Sequence, residues 1–349
     1  MDIAIIGCGS IARNQHIPAY MHNPKVKIRY FCDSVLSAAE AAVRQFGCGT
    51  AIQDYHQALN DPEVTAVSIC TPNAMHSTIA IDAMRSGKHV LCEKPAATTY
   101  EEALQMQSVQ HETGKVLNIG VVNRYNANVN RIKKLIDDGE LGEVYHVYAS
   151  FRSHRAIPGL GGAFTTKAMS GGGVIIDWGV HFFDIIMYCC GDPRVNSVSA
   201  ETFSKLGNPI SDYTYVKMWA GPPKPDGVYD VEESAAGTIR TDGPTITFNG
   251  AWAQNIAQKE MYIDFMGTMG GIRLQYGGDF TLYSTKDGML TTTTFAAPAD
   301  AMFQKEIDAF IDCIESGEKL ASHIDTNIVT AQMLDAIYRS AREHREITL

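Results

Sequence analysis

The hydrophobic pattern changes character about a third of the way along the chain. Up to residue 122, short continuous apolar runs alternate with longer stretches whose apolar residues recur at helical spacing. The runs are 2–6, Val26–Cys32, Thr65–Cys70, His89–Cys92 and Lys115–Val122. Helices are predicted between them, from the end of the first run to about His22, then over Leu36–Phe46, His76–Gly87 and Tyr100–Thr113. Strands that are apolar on both faces, each followed by a helix, predict a parallel doubly wound α/β sheet.

Beyond residue 122 the rhythm is different. Asn126–Asp138 reads as a helix stopped by Gly139, and Glu143–Phe151 as an alternating strand. The stretch from Gly159 to Gly173 holds six glycines, long enough to form a lid or rim. Val174–Cys190 is an apolar helix interrupted only by Asp177, Gly179, His181 and Asp184. Strand-like stretches then follow in series: Val195–Leu206, Tyr213–Trp219, Ser234–Arg240, Thr245–Trp252, Met261–Phe265, Gly271–Gln275, Phe280–Ser284 and Leu290–Phe295. With no helices between them they predict an open, mainly antiparallel sheet. Gly221–Asp230, with prolines at 222, 223 and 225, reads as an insertion loop. Two amphipathic helices, Asp300–Ser316 and Asp325–His344, and a short strand end the chain. The expected division is a first domain over 1–122 and a second over 123–349, with the C-terminal helix placed to pack back on the first.

Composition narrows the function classes. The chain is 45% apolar and 19% charged, the balance of a soluble globular protein. Met1 leads directly into a strand-like run, so no secretory leader is expected. No apolar run approaches the roughly 20 residues of a bilayer span, so no membrane partner is expected. A net charge of −10 argues against nucleic acid. The eight cysteines include no C-x-x-C pair, which points to packing thiols in a reducing, cytoplasmic compartment.

Candidate chemistry sits at three places. Gly7-Cys8-Gly9-Ser10-Ile11-Ala12 is G-x-G-x-x-A between a strand and a helix. Gly7 allows the tight turn, Gly9 lets backbone approach a pyrophosphate, and the helix start favours its charge. Asp33 ends the second strand 26 residues beyond Gly7 with no arginine beside it, which favours NAD over NADP. As a helix N-cap it would carry no such meaning. Glu93-Lys94-Pro95 ends the fourth run, where open α/β sheets bind ligands. It is either a surface ion pair capping a strand or a lysine placed to polarise a substrate oxygen. Asp177 and His181 are four apart on one helix face, either a structural pair or an acid orienting a general base. The triple glycine before them would let the helix start lie against another segment or a ligand. No H-E-x-x-H, H-x-H or G-x-S-x-G occurs, so neither a metal nor a nucleophilic serine is expected.

Taken together, these residues resemble the Gfo/Idh/MocA family of sugar and inositol oxidoreductases. The likeness is carried by the glycine fingerprint, Thr71-Pro72-Asn73 with His76, and Cys92-Glu93-Lys94-Pro95. Asn123-Arg124-Tyr125, the Gly171-to-His181 stretch and Ala336-Ile337-Tyr338-Arg339-Ser340 follow in family order. The resemblance implies an N-terminal Rossmann domain, a C-terminal α/β domain for substrate binding, and a homo-oligomer formed through its open sheet. It implies that Lys94, Asp177 and His181 are catalytic and that Lys94-Pro95 is cis. NAD would be held by Gly7, Gly9, Ser10, Ile11, Asp33, Thr71, Asn73, His76, Glu93, Lys94 and Asn123. A carbohydrate or cyclitol would meet Lys94, Arg124, Arg152, Arg155, Lys167, Asp177 and His181. The implied reaction is oxidation of a secondary hydroxyl, with C3 of glucosides the leading position. An enzyme that retains NAD and cleaves or epimerises through transient oxidation, or a non-catalytic sensor, are the alternatives.

Overall fold

A computed structural model describes residues 1–215, 218–297 and 299–349. Strand β1 (Asp2–Ile6) ends at Gly7, and a π-helical turn (Ala12–His16) leads into α1 (Ile17–His22). There follow β2 (Lys27–Cys32), α2 (Leu36–Phe46), β3 (Thr50–Ile52), α3 (His56–Leu59), β4 (Val64–Ile69), α4 (His76–Arg85), β5 (His89–Glu93), α5 (Tyr100–Thr113) and β6 (Leu117–Gly120). The six strands are parallel and ordered β3-β2-β1-β4-β5-β6. The order reverses between β1 and β4, so the strand ends carrying Gly7, Asp33, Thr71 and Glu93 lie along one edge, the ligand-binding edge of such sheets. Helix α5 shows why local sequence sufficed for its limits. Thr99 and Glu102 form a reciprocal capping box, and Gly114 ends the helix at φ 64°.

The remaining elements are α6 (Ala127–Asp137), β7 (Val144–Arg152), α7 (Lys167–Ser170), a second π-helical turn (Ile175–Gly179) and α8 (Val180–Cys189). Then come β8 (Val195–Phe203), β9 (Ser234–Thr241), β10 (Thr245–Ala251), β11 (Glu260–Gly267), β12 (Gly270–Gln275), β13 (Phe280–Lys286) and β14 (Met289–Phe295). Helices α9 (Met302–Ser316) and α10 (Ile324–Glu343) precede the last strand, β15 (Ile347–Thr348). The nine strands β14-β13-β12-β11-β7-β10-β9-β8-β15 form one sheet. It is antiparallel except where β7 and β10 run parallel. Helix α8 packs its apolar side against this sheet, with Phe182 and Phe183 meeting Phe151 and Phe248 in an aromatic cluster.

The chain divides into two compact units, residues 1–125 with 301–328, and residues 126–300 with 329–349. Ile307, Phe310 and Ile311 of α9 join the core of the first unit, among Ile3, Ile5 and Phe31. Met333, Leu334 and Ile337 of α10 join the core of the second.

Three expectations need correction. Val216 and Lys217 of the predicted strand Tyr213–Trp219 lie outside the described residues, and the described part of it forms no strand. The last strand of the first sheet is Leu117–Gly120, shorter than expected, because Val122–Tyr125 turns into a short 3-10 helix. One segment, Lys167–Cys189, is long and apolar enough to cross a membrane, with mean hydropathy 1.3. Its composition reflects a core helix, since 78% of it is buried inside the structure.

Candidate active site

In the first unit the fingerprint forms the turn its glycines permit. A Cβ at Gly7, whose φ is 93°, would lie 2.6 Å from the carbonyl of Cys70 and 2.8 Å from the Thr71 nitrogen. Only glycine lets the ends of β1 and β4 come so close. A Cβ at Gly9 would meet nothing within 4 Å, so that face of the backbone opens onto free space. Gly9 and Ser10 are exposed and Ile11 is half-buried at the start of the helical run. Asp33 Oδ2 accepts from the Cys8 N–H at 2.9 Å, and Oδ1 accepts from the Val35 N–H at 2.9 Å. Helix α2 takes Val35 as its N-cap, so the capping role for Asp33 falls away. The carboxylate is tied to the glycine loop and keeps lone pairs for a further donor. An open glycine backbone, a helix start and an acid at the next strand end suit a dinucleotide.

Glu93 and Lys94 end β5, but they are not a surface ion pair. Glu93 is 7% exposed, and its Oε1 lies 2.7 Å from His16 Nε2. Its Oε2 accepts the backbone N–H of Lys94 at 3.1 Å. The Lys94-Pro95 bond is cis, and Lys94 itself is half-buried. His76 is fully buried, with Nδ1 2.8 Å from the Pro95 carbonyl and Nε2 3.0 Å from the Thr71 carbonyl. Burial pulls its pKa down, partly offset by those carbonyls. His76 thus ties the β4 loop to Pro95 from within the first unit. Arg124 is 4% exposed and donates to the Ala321 carbonyl and, at 3.1 Å, to Thr326 Oγ1. That guanidinium fastens the turn between α9 and α10. Asn73 is half-buried at the β4 loop, and Asn123 is 7% exposed just after β6.

In the second unit the triple glycine is filled by the protein itself. A Cβ at Gly172 would lie 2.0 Å from Tyr338 Oη, and one at Gly173 would lie 1.9 Å from the Glu232 carbonyl. The Glu232 carboxyl group accepts from the Gly173 N–H at 3.0 Å, the Ile175 N–H at 3.1 Å and Tyr338 Oη at 2.8 Å. Burial pushes its pKa up, and these donors oppose the shift. The start of the helix thus carries an internal acid cap. Asp177 lies in the π-turn that follows, where the Val180 N–H reaches back to the Ile175 carbonyl. Such turns recur at functional sites. Asp177 Oδ2 accepts from Trp252 Nε1 at 3.2 Å, and Trp252 is fully buried. His181, one turn on and half-buried, has Tyr276 beside it with ring centroids 6.1 Å apart.

The basic rim residues separate. Arg152 donates to Glu260 Oε2 from Nε at 3.0 Å and Nη2 at 2.5 Å, across the β7–β11 register. The pair ties β7 to β11 through their side chains. Arg155 Nη2 donates to Asn255 Oδ1 at 2.7 Å, and its guanidinium lies 6.0 Å from the Tyr213 ring centre. Lys167 is exposed, and its backbone N–H donates to Asp230 Oδ1 at 2.6 Å. Asp230 belongs to the proline-rich insertion, which pairs with the glycine-rich loop at Gly161–Val228. The residues that sequence reasoning missed are His16, Trp252, Glu232 and the hydroxyl of Tyr338. The one local cue was Glu232-Glu233, two acids leading straight into an apolar strand. Among the described residues no group of three or more acidic, histidine or cysteine side chains could hold a metal.

Residues 1–121 match the oxidoreductase family with an NAD-binding Rossmann fold, and residues 129–273 match the Gfo/Idh/MocA C-terminal domain. The chain is 31% identical to a D-glucoside 3-dehydrogenase of Escherichia coli over 352 residues, covering 100% of this chain and 97% of that one. It is 26% identical to an inositol 2-dehydrogenase of Rhizobium meliloti over 347 residues, covering 99% and 98%. A levoglucosan dehydrogenase solved with NADH and levoglucosan superposes with TM-score 0.86 at 21% identity, covering 100% of this chain and 99% of that chain. At that identity the likeness speaks for the fold. Both family domains in order, and a relative matched from end to end, settle membership: the chain is an NAD-binding oxidoreductase of the Gfo/Idh/MocA family, among its sugar and cyclitol dehydrogenases.

Proposed function

We propose that this enzyme oxidises a secondary hydroxyl of a glucoside at C3. The observation that carries the reading is the end-to-end 31% identity to a D-glucoside 3-dehydrogenase. Gly7, Gly9, Ser10 and Ile11 would hold the pyrophosphate of the dinucleotide, Asp33 its ribose, and Thr71, Asn73, Glu93 and Asn123 its remaining length. When bound, NAD supplies the hydride acceptor. Lys94 Nζ donates a hydrogen bond to the reacting oxygen and stabilises the negative charge that grows there. A ring nitrogen of His181 takes the hydroxyl proton. Asp177, held by the Trp252 indole, orients the site. Arg155 and Lys167 remain the basic residues available to sugar hydroxyls outside the reacting centre.

A cytoplasmic setting accords with eight free cysteines. Assembly through the nine-stranded sheet accords with Met289 and Leu290 on its edge strand, 65% and 91% exposed. The deciding experiment follows NADH absorbance with product analysis over glucosides, free sugars and inositols. Formation of a 3-keto glucoside with NADH is expected. Preference for inositols or free sugars would overturn the glucoside reading, and product without NADH would favour an NAD-retaining mechanism.

A further inference from the structure

His16 closes the π-turn that follows the fingerprint and is fully buried. Its Nδ1 lies 2.9 Å from Ser68 Oγ on β4, and its Nε2 lies 2.7 Å from Glu93 Oε1 at the end of β5. The two side chains are 0% and 10% exposed, so this pair is shielded from water. Burial works against charge on the ring, yet Cys70 and Glu93 outweigh it and hold the pKa well above the usual histidine value. Burial likewise raises the Glu93 carboxyl, and His16 together with Lys94 more than reverses it. The imidazolium therefore donates one N–H to Glu93 and the other to Ser68.

The second Glu93 oxygen accepts the Lys94 backbone N–H at 3.1 Å. On the β6 side the carboxylate lies over Gly120, where any side chain would crowd it. A Cβ at Gly120 would come within 3.3 Å of both Glu93 Cδ and Oε1. The carboxylate is thus held at both oxygens, beside a strand position that carries no side chain. We infer that His16 is a positioning residue for Lys94: by fixing the plane of the Glu93 carboxylate it sets the direction in which the Lys94 peptide, and its ammonium group, leave the strand. The inference rests on the role proposed for Lys94. It also means that the fingerprint segment and the reactive lysine share one internal brace, since His16 lies seven residues beyond Gly9.

The test uses the full-length protein with its lysines carrying isotopically labelled methyl groups. The Lys94 resonance is assigned with Lys94→Arg, and NAD affinity is titrated in parallel. His16→Ala should shift the Lys94 signal and lower kcat about 100-fold on whichever polyol the wild type oxidises, with NAD affinity little changed. His16→Gln, which keeps a donor for Glu93, should restore both. A Lys94 signal unmoved in folded His16→Ala would overturn the proposal, as would His16→Gln behaving no better than His16→Ala. If the alanine variant does not fold, His16→Met supplies the bulk without the donor. Loss of the fold there too would make His16 a structural residue and also overturn the proposal. Should no polyol be oxidised by the wild type, the substrate reading fails on its own and the Lys94 resonance still decides.

Discussion

Two helices in this molecule begin the same way and serve opposite ends. Each follows a glycine run, and each opens with a π-helical turn, Ala12–His16 in the first unit and Ile175–Gly179 in the second. At Gly9 the space beside the backbone is open, whereas at Gly172 and Gly173 it is filled by Tyr338 and Glu232. The first helix start keeps open backbone of the kind that suits an outside anion, and the second is capped by the protein's own acid. Glycine-rich sequence before a helix therefore signals close approach, and what approaches is decided elsewhere in the chain.

The sharpest test asks whether each unit supplies a residue that the reaction needs. Lys94→Ala in the first unit and His181→Ala in the second should each lower turnover by about 100- to 10,000-fold in steady-state assays while NAD titrations stay close to wild type. Near wild-type turnover in either removes that residue from the mechanism. Next comes the contrast between the glycines. Gly173→Ala drives a methyl into the Glu232 backbone and should cost about 3 kcal/mol in urea unfolding. Gly9→Ala should leave the unfolding midpoint within about 0.5 kcal/mol and yet weaken NAD about tenfold. Equal stability losses at the two sites would erase the distinction between an open and a sealed helix start. Asp33→Ala should weaken NAD by about tenfold and NADP less, by fluorescence titration; equal loss would end the ribose assignment.

The smallest effect concerns His89, a histidine of the first unit. His89 Nδ1 accepts the Val116 N–H at 3.0 Å and so must be neutral in the fold. Burial, with help from Lys115, lowers its pKa to about 4. Between that value and about 6.5 the unfolded chain binds the extra proton, so stability is full above the upper limit and falls as pH drops toward the lower. Because His89 is only half-buried, the loss should be about 1 kcal/mol, seen as a lower urea midpoint that His89→Gln flattens. An unchanged slope in that variant would assign the acid sensitivity to other groups.

Most of the fold was legible because its signals are local. The limits of α5 follow from Thr99, Glu102 and Gly114, and the parallel sheet from runs that are apolar on both faces. The π-turns were not legible, since the residue each adds leaves the composition of its helix unchanged. Nor was the parallel pairing of β7 with β10, which depends on the path of the chain between them. The candidate site divides in the same way. Lys94, Asp177 and His181 stand out as charges at apolar element ends. Their supports do not, because His16 meets Glu93 across 77 residues and Trp252 meets Asp177 across 75. Such contacts carry no periodicity for a sequence reading to find. Where a residue's partner lies in adjacent sequence, as with Arg155 beside His154, the sequence still could not say whether it faces ligand or backbone.

The discontinuity of the two units has a consequence for inheritance. Each is completed by a segment encoded well after its main part, residues 301–328 for one and 329–349 for the other. A gene fragment ending at codon 125 would deliver the dinucleotide fold without Ile307, Phe310 and Ile311, leaving an apolar gap where α9 belongs. One ending at codon 300 would leave both cores short at once. No single cut before residue 328 therefore leaves either unit finished, and exchanging one unit for another calls for two joins instead of one.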